Sequence, residues 1–423
     1  MFETKNFLGE ENLKKNTAEV KPATVKKLAE NVYSFQYFGA SNATLIIGEK
    51  GCTLVDVFES DGYALDARKE IEKITKNPVT TIIYTHTHAD HTGGAMVFSD
   101  TVKNVIAHVS HVPVIGRQEK IAQASGKRAF HQFGVGLTME ESISMGLNPA
   151  VTPNGSAKPL PVTQYIDGAE TIMNIDGVSI QLIAVPGETD DEQAVWLPDQ
   201  KILCSGDNYY ASWPNLCALR GSTYRDVNQW VLSLGKYLEY PADFLVPGHG
   251  DILEGQNQIS LVIGNYRDAI EWVLDQTLDG INEGKTPDEL AASIHLPEKW
   301  ASLPYLQEYY GTVEWSVRGI YSGYVGWFDG NPTHISALPI KEHAEKQLQI
   351  MGGEERVSDA IEHAVQDEDM QWAMELCDVL LNAGVRVIDA KKWKAQACIY
   401  LGRMQTSANG RHYYLSCAKE LEK

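Results

Sequence analysis

Positive charge is what this 423-residue sequence has least of: 36 lysines and arginines stand against 56 aspartates and glutamates, a formal net charge of −20. Nucleic acid and anionic membrane surfaces both need a cationic face, so neither is expected as a partner. The six cysteines (Cys52, Cys204, Cys217, Cys377, Cys398, Cys417) form no CxxC pair and no framework spacing. They read as reduced, buried small hydrophobes. No run of about 18 apolar residues occurs, which speaks against a membrane-spanning helix, and the first residues show no basic segment leading into an apolar one. A cytoplasmic chain is expected. Its 43% hydrophobic content over this length is enough for two packed domains.

What is present concentrates in one stretch. Val79 to Ile83 runs as a buried strand would, and the following turn carries His86, His88, Asp90 and His91 within six residues. One imidazole pair at i, i+2 and one Asp-His pair at i, i+1 cannot all converge on one small ion, but each pair can serve one of two neighbouring ions. Gly93 and Gly94 then let the backbone pass close beneath the metals. This reads as a dinuclear metal site.

Taken in order, residues 1–28 are polar and are expected to form a surface arm. From Val32 three β-type runs follow, then a helix near Ser60 to Ile74 that Pro78 ends, and then the strand leading to the histidines. Residues 95–160 are less regular, and Arg128 to Gly155, with Pro149 and Pro153, reads as a long loop over a site. The β pattern returns after Tyr165, with Asp176-Gly177 as a two-residue hairpin signal. Three later strands end in a glycine next to a ligand-type residue, Glu188, Asp207 and His249, which complete a set with the first motif. From about Gln256 the pattern is helical to the end, with an aromatic stretch from Tyr305 to Phe328. The predicted domains are an arm (1–28), a layered α/β catalytic domain (29–255) with ligands at its strand ends, and an all-α region (256–423) read as an interaction or dimerisation module.

His86-Thr-His88-Ala-Asp90-His91, Gly-Asp207 and Pro-Gly-His249 resemble the metal motifs of the metallo-β-lactamase superfamily. Pro186-Gly-Glu188, where most of that superfamily has Pro-Gly-His, resembles its alkyl sulfatase branch, dizinc hydrolases of alkyl sulfate esters. Leu219-Arg220-Gly with Arg225-Asp226, and the segments Tyr309 to Arg318 and Gly326 to Thr333, also resemble that branch. The resemblance covers residues 30–423. It implies an αββα sandwich followed by a helical dimerisation domain, hence a homodimer. It implies one zinc on His86, His88 and Glu188 and a second on Asp90, His91 and His249, with Asp207 bridging them; manganese or iron would suit the same N/O donors. Arg220 would hold the sulfate of a small-molecule ester with an apolar chain, supported by Asn215, with Phe133 and Tyr209 against the substrate and His131 or Tyr209 protonating the leaving alcohol. Asp207 is one methylene shorter than the branch's usual glutamate, Phe133 stands where a tyrosine is expected, and the lipid-carrier-like domain common at the branch's C-terminus is not in this sequence. The alternative readings are hydrolysis of a phosphoester, lactone or thioester on the same scaffold, and a diiron redox protein. The latter would want a carboxylate in place of His88 and a flavin domain, and neither is found.

Overall fold

The computed structural model describes residues 5–17, 21–147 and 154–423. Among these, one compact unit holds the residues of 19–122 and 147–326, and the other those of 1–18, 123–146 and 327–423.

The first unit is built on two sheets whose inner strands bury both faces, so their residues alternate between two cores rather than between core and solvent. One sheet runs in linear order through β1 (Thr24–Ala29), β2 (Val32–Gln36), β3 (Ala43–Ile47), β4 (Cys52–Val55), β5 (Val79–Ile83), β6 (Asn104–His108) and β7 (Gln164–Ile166). Its first four strands pair antiparallel and the remainder parallel. The other sheet is ordered β13 (Leu253–Glu254), β12 (Phe244–Pro247), β11 (Ile202–Gly206), β10 (Gln193–Leu197), β9 (Val178–Ala184) and β8 (Glu170–Ile175), with only β11 and β12 parallel. Asp176 and Gly177 both take positive φ in the β8–β9 turn, the conformation that hairpin signal demands.

The alternation is legible residue by residue. Ile46, Val55, Ile83 and Ile106 meet Ile180, Leu182, Val195 and Val246 between the sheets. Their neighbours Leu45, Leu54, Ile82 and Val105 point the other way, against Ala64, Ala67 and Ile71 of the helix Asp61–Ile74. On the far side, Ile183, Ala194, Leu203 and Leu245 pack beneath the helices Val227–Tyr237 and Gln256–Asn282. The result is a four-layer αββα sandwich followed by a helical region.

Three sequence expectations need adjustment. The helices Gln256–Asn282, Pro287–Ser293 and Val313–Val325 share one core with the second sheet. The described residues among 1–28 include regular structure: Phe7 and Leu13, 2% and 0% exposed, pin the otherwise polar helix Leu8–Asn16 into the second unit, and β1 begins at Thr24. The segment read as a loop from Arg128 begins inside the helix Ala122–Gln132, and Thr138 and Glu141 form a capping box on a further turn, Met139–Ser142. Pro149 and Pro153 lie outside the described residues.

The second unit is helical, its C-terminal part comprising Ile340–Ile350, Glu354–Gln366, Met370–Ala383, Val387–Met404 and Ala408–Leu421 around Ile361, Leu376, Leu380, Ala390 and Ala397. The helices Glu354–Gln366 and Met370–Ala383 are separated by a turn at Glu368, whose φ is +61°. Among the described residues, no helix is long and apolar enough to cross a membrane.

Candidate metal centre

Strands of both sheets deliver ligand-type residues to one edge of the sandwich. The chain leaves β5 into His86 and His88, and a short helix (Ala89–Thr92) then presents Asp90 and His91. From the second sheet, Glu188 follows β9, Asp207 follows β11 and His249 follows β12. His86, His91, Glu188, Asp207 and His249 are all 5% exposed or less.

Two groups form. Asp90, His91, Asp207 and His249 make one; His86, His88 and Asp207 make the other. In the first, His91 Nε2 lies 3.6 Å from Asp90 Oδ2 and 3.3 Å from Asp207 Oδ1, and His249 Nε2 lies 3.4 Å from Asp90 Oδ2 and 3.1 Å from Asp207 Oδ2. In the second, His86 Nε2 is 2.9 Å from His88 Nδ1 and 3.8 Å from Asp207 Oδ2, and Glu188 Oε1 adds itself 3.7 Å from His88 Nδ1. A tetrahedral ion with N/O bonds near 2.1 Å spaces its donors by about 3.4 Å. These separations bracket that edge length.

Unused donor capacity provides a second test of fit. His91 Nε2, Asp207 Oδ1 and Glu188 Oε2 are buried without a hydrogen-bond partner, an expense that a cation placed among them removes. The opposite ring nitrogens are already oriented. His91 Nδ1 faces Asp56 Oδ2 at 2.8 Å, His249 Nδ1 faces the Ala40 carbonyl at 2.7 Å, and His86 Nδ1 faces Thr85 Oγ1 at 3.0 Å. Such partners fix each tautomer so that Nε2 points inward.

The field is divided. Burial and the neighbouring His91 hold His86 down, and burial, His86 and Arg220 hold His88 well down, so both rings are neutral, as ligands must be. Around His91 and His249 burial also opposes protonation, but Asp207 and the other carboxylates overcome it and draw positive charge to that side. Burial raises Glu188 against the pull of Arg225, and with Asp207 nearby it is pushed up to about 7.

Two family models match the chain: metallo-beta-lactamase superfamily over residues 37–249, and alkyl sulfatase dimerisation over residues 286–423. A linear primary-alkylsulfatase from a Pseudomonas species is 35% identical over 389 residues, 89% of this chain and 73% of that one. The chain belongs to the alkyl sulfatase branch of the metallo-β-lactamase superfamily. The alkyl/aryl-sulfatase BDS1 of Saccharomyces cerevisiae is 29% identical over 93% of this chain, which spans 63% of that protein's length. The solved structure of the stereoselective inverting sec-alkylsulfatase Pisa1, from a Pseudomonas species, superposes with a TM-score of 0.89 at 24% identity, over 99% of this chain and 69% of that one, a likeness of fold.

Of the other residues singled out in the sequence, Arg220 stands at the cluster, its Nη2 3.1 Å from His88 Nε2. Asn215 is buried; its N–H donates to the Tyr210 hydroxyl and its carbonyl accepts from Arg225. Tyr209 is not brought to the cluster: it packs in the core, edge-on to Tyr266. Tyr210 is the one that lies against the His249 ring, at 6.1 Å between centroids. Phe133 follows the helix Ala122–Gln132 in the second unit, where His131 contacts Glu420 at 2.9 Å and the Tyr413 ring. Gly93 and Gly94 make room for the backbone of Glu59 and Val57 rather than for metals. The glycine that clears the centre is Gly248, where a Cβ would strike Asp207 Oδ1.

Sequence reasoning missed Asp56 and Glu192, and gave Arg225, part of a motif it singled out, no role at the centre. Glu192 accepts the Asp207 N–H, and burial with Asp207 and Glu188 beside it raises its pKa well above the usual range. Arg225 Nη1 pairs with Glu188 Oε1 at 2.9 Å, both side chains buried.

Proposed function

We propose that this protein hydrolyses alkyl sulfate esters at a two-zinc centre, releasing alcohol and sulfate, with the anion held by Arg220. The supporting observation is the position of the Arg220 guanidinium against His88 Nε2, beside a cluster of seven competent donors. The relatives named as alkylsulfatases support the substrate class.

When bound, two divalent cations polarise the ester and bring the pKa of water towards neutrality. His86, His88 and Glu188 would hold one, and Asp90, His91 and His249 the other, with Asp207 between them. The residues themselves do the rest. Arginine only donates, so its contact assigns His88 Nε2 as acceptor and places the ring proton on Nδ1, facing His86. If His88 Nδ1 served a metal instead, the ring proton would sit on Nε2, and the planar Arg220 fork would match the oxygens of a sulfate.

The same reading has the chain act as a homodimer through its helical region, where Trp327, Ile340 and Ile350 are 77%, 71% and 87% exposed. It places the chain in the reducing cytoplasm, in keeping with six free cysteines.

The test is hydrolysis of octyl sulfate, octyl phosphate and an octanoate ester by wild type and Arg220→Ala, with metal content measured by mass spectrometry. Octyl sulfate alone should turn over, and Arg220→Ala should lose that activity while keeping its metal. Turnover of the phosphate or the carboxylate ester without the sulfate would refute the substrate assignment.

A further inference from the structure

Arg225 is 4% exposed, and among the described residues Glu188 is the carboxylate in ion-pair contact with it. The guanidinium is not otherwise well provided for: Nη1 also donates to the Asn215 carbonyl, and Nε is buried without a partner. Burying a guanidinium is unfavourable unless a close opposite charge offsets it, and removing one member of such a pair strands the other. Glu188 is equally dependent. Its N–H is fixed by Asn208 Oδ1 at 3.0 Å, and its Oε1 lies between Arg225 Nη1 at 2.9 Å and His88 Nδ1 at 3.7 Å. A carboxylate at this ligand position gives the first ion site one more negative charge than a neutral imidazole would. The charge that balances it sits directly behind it.

We propose that Arg225 is a positioning residue for the metal centre: it orients Glu188 and cancels its charge, so that the two residues form one replaceable unit equivalent to a single neutral ligand. This rests on Glu188 being a metal ligand. Arg225 is thereby distinguished from Arg220, which serves the anion. The unit makes a non-additive prediction. Glu188→His alone places a neutral ring against a buried, unpaired guanidinium and should weaken both metal binding and the fold. Arg225→Met alone leaves Glu188 unoriented and its charge unbalanced. Making both changes restores neutrality with a ligand of ordinary basicity.

The whole chain of 423 residues, stripped by chelator, is titrated with Co²⁺ in a competition assay that follows its visible d–d bands, and its thermal unfolding is recorded without metal. Arg225→Met should weaken one of the two ions by about 10–100-fold, the usual penalty for losing a ligand's supporting partner, while Arg225→Lys recovers part of the loss. Glu188→His should weaken the same ion and lower the unfolding temperature. The double variant Glu188→His, Arg225→Met should bind both ions within about five-fold of wild type, a coupling that two independent residues do not show. Losses that simply multiply in the double variant would overturn the proposal. So would an Arg225→Met chain that binds both ions normally and only raises KM for octyl sulfate, since Arg225 would then be an anion contact. Failure of the ligand assignment itself shows separately, as a Glu188→Gln chain with undiminished affinity for both ions.

Discussion

Asp56 offers the sharpest test of how the fold supports the metal ligands. It directly follows β4, is 3% exposed and holds a backbone φ of +58°. Its Oδ1 accepts the Thr85 N–H, and its Oδ2 accepts both the Thr85 hydroxyl and His91 Nδ1–H, each at 2.8 Å. Asp56→Asn preserves the shape and tolerates the left-handed backbone. It cannot preserve the pattern, because an amide has one acceptor oxygen. If that oxygen serves His91 and the Thr85 hydroxyl, the NH₂ group faces the Thr85 N–H, donor against donor. The orphaned N–H costs about 1–3 kcal/mol of stability in the metal-free chain. The weakened support of His91 should lower affinity for the ion on Asp90, His91 and His249 by about 10–100-fold, or about 1.4–2.7 kcal/mol. Asp56→Ala, which orphans three donors and strains the backbone, should lose more of both. Denaturant unfolding of the stripped protein reads the first quantity, and Co²⁺ titration against a competing chelator reads the second. Wild-type affinity for both ions in the Asn variant would refute the argument that this carboxylate sets the His91 tautomer.

Three further outcomes are expected. Gly248→Ala puts a Cβ into the Asp207 carboxylate and against His91 Cε1, so mass spectrometry should find metal depleted from both sites; full occupancy would mean that the loop yields. Leu182, 0% exposed between the sheets, should cost about 2–5 kcal/mol on truncation to alanine, and a loss under about 1 kcal/mol by denaturant unfolding would contradict a close-packed inter-sheet layer. In the helical unit burial alone would raise Glu10, but hydrogen bonds from Arg403 and Lys14 bring it down to about 2. A depressed carboxylate contributes stability above its unfolded value of about 4.3 and loses it as pH falls through the folded value. Glu10→Gln should therefore flatten the decline of the unfolding temperature between about pH 4.5 and pH 2. An unchanged slope would refute this.

The sequence made plain those features whose causes are local. Val79 to Ile83 reads as a strand because both of its faces are buried, so every position is apolar or β-branched. Asp176-Gly177 reads as a turn because its positive φ values are demanded by those two residues alone. Metal-ligand types at strand ends are visible one by one, and Asp90, His91, Asp207 and His249 do converge, as do His86, His88 and Asp207. What was not visible depends on distant partners. Asp56 looks like any acid at a strand end until His91, 35 positions later, is folded onto it. Arg225 looks like a loop residue until Glu188, in another strand's turn, reaches it. Tyr209 and Tyr210 are equivalent on paper, and only packing sends the first into the core and the second towards His249. The polar helix Leu8–Asn16 has no strong periodic signal, because two buried residues, Phe7 and Leu13, are enough to anchor it.

The division of ligands between the sheets has a consequence for stability. His86, His88, Asp90 and His91 come from one sheet, and Glu188, Asp207 and His249 from the other. Hydrogen bonds already tie these edges together: Gln193 donates from its N–H to the Thr85 carbonyl and from its side chain to the Tyr84 carbonyl. The loop between β2 and β3 adds a brace. Asn42 donates to the carbonyls of Gly248, Pro247 and Gly250, Ser41 donates to the Asp90 carbonyl, and Ala40 accepts from His249 while Glu59 accepts its N–H. The ligand-bearing edges are thus set in register by backbone contacts that need no ion. Carboxylates crowded this closely repel one another, and they and the imidazoles beside them are desolvated at a cost to the fold. A site assembled in this way places that cost in the folded chain, and cations binding the folded but not the unfolded chain recover it as stability. The same backbone brace that makes the centre geometrically rigid makes the αββα sandwich dependent on what the centre holds.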